Sequence, residues 1–127
     1  RWYEVELEDQ TMDDLNRITC TPCHAGAPRA TQEEIRQALD QLPQWHTTQV
    51  DQIDRLERTY VFEDFKGAMV FTQRVADLAE QENHHPAILT EWGRVTVTWW
   101  THKIKGLHIN DFVMALKTDH LTEGVHS

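Results

Sequence analysis

Three stretches of the chain carry apolar residues at helical spacing, and two pairs of stretches alternate instead. In "TQEEIRQALDQLPQW", Ile35, Ala38, Leu39 and Leu42 recur every three or four residues, as one face of a helix requires. Thr31 and Glu34 have the spacing of a capping box at its start, and Pro43 stops it. "QWHTTQV" and "DRLERTYVF" alternate loosely and read as a hairpin of two strands. Asp64 then suits the N-cap of a helix over 64–81. Its broad apolar face holds Phe65, Ala68, Met69, Thr72, Val75, Ala76 and Ala79.

The polar "EQEN" ends that helix just before His84 and His85. "PAILTEW" and "RVTVTWWTH" follow, both rich in β-branched and aromatic residues and separated by Gly93. Along the second, Val95, Val97 and Trp99 point one way, and Thr96, Thr98, Trp100 and His102 point the other. A last helix starts near Asn110 or Asp111, with Phe112, Val113 and Leu116 on its inner side. The order helix, β-β, helix, β-β, helix predicts an α+β fold, an antiparallel sheet with helices on one face.

Length and charge narrow the function classes. The chain of 127 residues fits one domain with a real core. Twelve basic residues against 21 acidic ones give a formal net charge of −9. An acidic surface repels phosphate backbones, which argues against a nucleic-acid partner. No apolar run approaches the length that spans a bilayer, and no secretory core is visible, so no membrane partner is expected. No Gly-rich loop follows a strand, so a nucleotide site has no support. "CTPCH" places Cys20, Cys23 and His24 in the spelling of haem c attachment, redox and zinc motifs. Haem attachment needs export and a far axial ligand, and zinc lacks an evident fourth ligand. Free thiols in a Pro/Gly-rich lead-in are the simpler account. Residues 1–30 read as an arm and loop, 31–121 as the domain, and 122–127 as a tail. The acidic "RWYEVELED" lead has no physical account from its sequence.

The histidines carry the chemistry. A hairpin turning at Gly93 places His102, at the far end of a strand over 94–101, opposite about residue 84. Facing positions on a two-stranded ladder lie about 5 Å apart, so three imidazoles can meet at one sheet edge. Thr98 and Trp100 share the face that carries His102. Such a cluster suits a zinc site with an open position or metal-free acid/base work. It also suits nothing more than solvated loop histidines.

The spacing goes further. Glu80, three residues, His84-His85-Pro86, five residues, Trp92, nine residues, His102, eight residues and Asp111 resemble the signature of the pterin-4a-carbinolamine dehydratases. That family is also described as the dimerisation cofactor of a homeodomain transcription factor. The similarity runs from about Thr31 through Leu121, and "DRLERTYVFEDF", "VTVTWWTHKIKGLH" and "NDFVMALKTD" look like bacterial members.

The resemblance implies a two-layer fold, a four-stranded antiparallel sheet with helices on one face, preceded here by an extra N-terminal helix. It implies a lyase that removes water from a 4a-hydroxytetrahydropterin to give the quinonoid dihydropterin, in the cytoplasm, with no metal or organic cofactor. His84, His85 and His102 match the catalytic set, with His84 and His102 as the acid/base pair and His85 chiefly binding the pterin. Glu80, His85, Pro86, Thr101, His102, Lys103 and Asp111 are the implied substrate-binding residues. Asp111 also suits the cap of the last helix, and Trp92 suits packing at the turn. A homodimer or homotetramer is implied. The rival readings are a non-catalytic dimerisation or adaptor module, and an accessory role in pterin or molybdopterin metabolism.

Overall fold

The computed structural model describes residues 29–125; Cys20, Cys23, His24 and the "RWYEVELED" lead lie outside them. Helix α1 spans Gln32–Gln41, strands β1 and β2 span His46–Val50 and Ile53–Val61, and helix α2 spans Phe65–Glu82. Strands β3 and β4 span Ala87–Glu91 and Arg94–Trp99, a 3-10 turn spans His102–Ile104, and helix α3 spans Ile109–His120. The sheet order is β1-β2-β4-β3, with every pair antiparallel. This is the expected α+β architecture.

Local chemistry explains the element starts. The Thr31 hydroxyl accepts from the Glu34 N–H, and the Glu34 carboxylate accepts from the Thr31 N–H, so both legs of the capping box form. The Asp64 carboxylate accepts from the Gly67 N–H at 2.8 Å and caps α2. Asp51 and Gln52, both with positive φ, make the two-residue turn between β1 and β2, the turn geometry that matches strand twist. Gly93 closes the β3–β4 turn, where a Cβ would sit 3.1 Å from the Phe62 carbonyl oxygen.

The core lies between one sheet face and the three helices. Leu56 and Tyr60 of β2 and Val95, Val97 and Trp99 of β4 join Ile35, Ala38, Phe71, Val75, Phe112 and Val113 in one buried cluster. The opposite sheet face is polar, with Thr59 paired to Thr96 and the Thr98 hydroxyl donating to Glu57. At the far end of α3, Asp119 Oδ1 accepts from Trp45 Nε1 at 3.0 Å, Arg58 at 2.8 Å and the Tyr60 hydroxyl. Lys117 pairs with Glu82 at 2.9 Å, tying α3 to α2.

Five expectations are corrected. The buried face of α2 is Ala68, Phe71, Val75, Leu78 and Ala79, whereas Phe65 and Met69 are exposed. Phe71 packs on Tyr60 and Phe62, at 4.5 and 5.2 Å between centroids, and this sets the helix rotation. Met69, two residues away, is thereby turned to the far side. Strand β4 ends at Trp99, where its ladder with β2 stops at Leu56–Trp99 and its ladder with β3 has already stopped at Ala87–Thr98. Thr101 makes only an isolated bridge with Gly106. The turn is the pair Trp92-Gly93, which shifts the register by one from that expected: Ala87 faces Thr98 and Glu91 faces Arg94. Trp92 itself is 69% exposed and does not pack at the turn. Helix α3 begins at Ile109 with His108 as N-cap, so Asp111 is its third residue rather than its cap.

Candidate active site

The end of α2 sets the directions of the two adjacent histidines. Asn83 takes the left-handed conformation, φ 54°, and its N–H closes on the Ala79 carbonyl. This is a common way to stop a helix. The His84 N–H also reaches the Ala79 carbonyl, at 3.1 Å. Beyond that stop the two imidazoles have different surroundings.

His84 is nearly buried. Its ring lies flat against Trp99, 5.6 Å between centroids and 13° between planes. Its Nε2 is 2.7 Å from Asp111 Oδ1. Asp111 has no exposed surface, yet it is fully served by donors. Oδ2 accepts from the Thr101 hydroxyl at 2.8 Å and from the His108 backbone N–H at 2.9 Å. A buried carboxylate needs such donors to offset lost hydration. A carboxylate only accepts, so the Nε2 of His84 carries a proton. Asp111 therefore joins the first turn of α3 to His84, serving the capping box and the imidazole together.

His85 faces outward. Its Nε2 lies 2.7 Å from Glu80 Oε2, and both side chains are largely exposed. His102 opens the 3-10 turn, and its Nε2 is 3.2 Å from the His85 carbonyl oxygen. That bond again places a proton on Nε2. The His102 ring rests on Trp100 at 4.5 Å between centroids, and the Arg55 guanidinium lies over the same indole at 4.0 Å. Pro86 is half-buried, and Lys103 is exposed beside His102.

The three histidines thus share one edge of the molecule. Their Nε2 atoms are committed to three different acceptors. Among the described residues no group of three or more His, Cys, Asp or Glu side chains is placed to hold a metal ion. Glu80 partners His85, and Asp111 partners His84. The sequence reading missed Trp99 as the floor under His84, and the donor roles of Thr101 and His108 toward Asp111. The spacing from His108 to Asp111 is that of a capping box and was a usable signal. A surface groove between Lys66 and Val125 lies at the opposite end of α2 from His84 and includes none of these residues.

The fold is a four-stranded antiparallel sheet with helices on one face, and its edge carries a buried carboxylate–histidine pair. The chain belongs to the pterin 4 alpha carbinolamine dehydratase family, whose sequence profile matches residues 28–121. A relative from Syntrophotalea carbinolica, provisionally named a pterin-4-alpha-carbinolamine dehydratase, is 56% identical over 112 residues. The match covers 88% of this chain and 100% of the relative. The crystal structure of a transcriptional coactivator/pterin dehydratase from Brucella melitensis superposes with a TM-score of 0.67 at 34% identity. It covers 75% of this chain and 99% of that one. The fold is shared at 20% identity, with a TM-score of 0.54, by a pterin dehydratase-like protein described as a RuBisCO assembly factor in the alpha-carboxysome. That match covers 62% of this chain and 89% of the other.

Proposed function

We propose that the protein removes water from a 4a-hydroxytetrahydropterin and releases the quinonoid dihydropterin, with His84 and His102 as the acid/base pair. The reading rests on the pairing of Asp111 with His84, beside a His102 whose own Nε2 is held by the His85 carbonyl. In both histidines the proton on Nε2 is engaged, so Nδ1 is the atom that exchanges a proton with substrate. One imidazolium gives its proton to the 4a-hydroxyl, and the C4a–O bond breaks to release water. The other imidazole takes a proton from a ring nitrogen, whose electrons form the new C=N bond. The protein's proton count is unchanged after one turnover. Asp111 holds His84 in a single tautomer and stabilises its imidazolium, as an orienting carboxylate does in other acid/base sites.

His85, held by the exposed Glu80 at the mouth of the site, binds the pterin, with Pro86 and Lys103 beside it. This chemistry needs no metal or organic cofactor, and in a cytoplasmic setting it would recycle the cofactor spent by aromatic amino-acid hydroxylases. No helix among the described residues is long and apolar enough to cross a membrane. A homodimer or homotetramer belongs to the same reading. β1 and β3 form the two edges of the sheet, and edges invite pairing. Light scattering at high concentration would show a monomer if that part is wrong. The decisive experiment is a dehydration assay with separately prepared epimers of 4a-hydroxytetrahydrobiopterin. Turnover well above the uncatalysed rate is expected, and its absence would leave the adaptor reading that the Brucella structure's description brings into view.

A further inference from the structure

We infer that Thr101 is a positioning residue for His84, acting through Asp111, and that it does not touch the pterin. The residue is 2% exposed. Its hydroxyl donates to Asp111 Oδ2 at 2.8 Å, and Asp111 Oδ1 lies 2.7 Å from the His84 ring. The carboxylate is free in principle to rotate about its Cβ–Cγ bond. The Thr101 hydroxyl and the His108 N–H both hold Oδ2, so any rotation that releases His84 breaks two further bonds. The backbone of Thr101 is fixed as well. Its N–H donates to the Gly106 carbonyl at 2.9 Å, and the return bond is 3.5 Å. The next residue is His102. One residue therefore orients the carboxylate behind the first histidine with its side chain and fixes the departure of the second with its backbone.

The inference rests on the dehydratase reading for its kinetic arm alone. Thr101→Val keeps the shape and removes only the hydroxyl. It is expected to lower kcat about tenfold to a hundredfold, the scale of a small misplacement of a reacting group. KM should stay within about twofold, because no substrate contact is lost. Thr101→Ser restores the hydroxyl and should recover most of the rate. In ¹⁵N NMR, His84 of the wild type should show one neutral tautomer, protonated on Nε2, and folded Thr101→Val should show a mixture. Should Thr101→Val fail to fold, the wild type still decides. Its Thr101 hydroxyl proton should be visible in the ¹H spectrum and slow to exchange with water. Wild-type kcat in Thr101→Val, equal losses in the Val and Ser variants, an unchanged His84 tautomer, or a freely exchanging hydroxyl would each overturn the inference. A wild type without dehydratase activity would defeat the functional reading, while the tautomer measurement would still judge Thr101.

Discussion

Oδ1 of Asp111 lies 2.7 Å from Nε2 of His84, and the carboxylate behind that contact is wholly buried. Asp111→Asn would keep the shape and discard the charge that, in the proposed mechanism, steadies an imidazolium. It should lower kcat by about 10²-fold or more, within the range for loss of acid/base assistance, with the fold intact. Asp111→Ala also strips the first turn of α3 of its contact with the His108 N–H. It should cost a further 1–2 kcal/mol or so in urea denaturation.

The adjacent histidines should differ in kind when replaced. His84→Ala and His102→Ala should each lower kcat, by about 10²–10⁴-fold. His85→Ala should chiefly raise KM. Acid and base can exchange roles between the two epimers at C4a, so each single variant can spare one epimer, while the double variant should lose both. Steady-state kinetics on separated epimers checks this. A folded His84/His102 double variant turning over near the wild-type rate would remove the mechanism.

Chelation gives an independent check on the chemistry. Each Nε2 of the three histidines is taken up by an oxygen acceptor of the protein. Activity should therefore survive EDTA treatment and dialysis. Activity that falls with EDTA and returns with zinc would point to a metal-bound water instead.

Asn83 is a test of the helix stop. Asn83→Gly suits the left-handed backbone and should leave stability and activity close to wild type. Asn83→Val brings a β-branched side chain into that conformation. It should cost about 1–2 kcal/mol and lower kcat by moving His84 away from Asp111. Thermal melts and the dehydration assay would separate the two effects.

Tyr60 predicts a loss of stability in alkali. Burial, then the hydrogen bond to Asp119 and its negative charge, push the Tyr60 hydroxyl far above the ordinary tyrosine range. In the unfolded chain a tyrosine ionises near pH ~10. Above that pH the unfolded state gives up a proton that the folded state keeps. The contribution is therefore complete below pH ~10 and declines as pH rises beyond it, by up to about 1.4 kcal/mol per pH unit. Tyr60→Phe should be less stable than wild type near neutrality by about 1 kcal/mol and should show a shallower alkaline decline. Urea denaturation at pH values on both sides of that point tests the sign.

What the sequence made legible was local. The Thr31–Glu34 box and the Asp64 cap depend on residues a few positions apart and appear as read, and both hairpins form. The rotation of α2 was not legible, because Phe71 is turned inward by Tyr60 and Phe62 from another element. The register of the second hairpin was off by one because Trp92 and Gly93 together make the turn. At the candidate site, the spaced pattern named Glu80, His84, His85, His102 and Asp111. It could not show that Asp111 serves His84 while Glu80 serves His85, since side-chain direction after Asn83 decides that. The hydroxyl of Thr101 reaches Asp111 across the 3-10 turn, and the helical and strand periodicities carry no sign of it.

Helix α3 holds Asp111 near one end, fastened to His84 beyond α2 and to Thr101 beyond β4, and Asp119 near the other, fastened to Arg58 and Tyr60 of β2. The eight intervening steps correspond to about 12 Å along the axis and about 80° around it. The helix is thus a strut of fixed length and fixed phase. Removing or adding one residue between the two aspartates would turn one end by about 100° relative to the other. Neither carboxylate could then meet its partners while the other did. Point substitutions on the outer surface of α3 are compatible with the fold, whereas single-residue insertions and deletions inside it are not. A loop of equal span would have absorbed such changes, and this helix turns them into a misfit at the histidine edge.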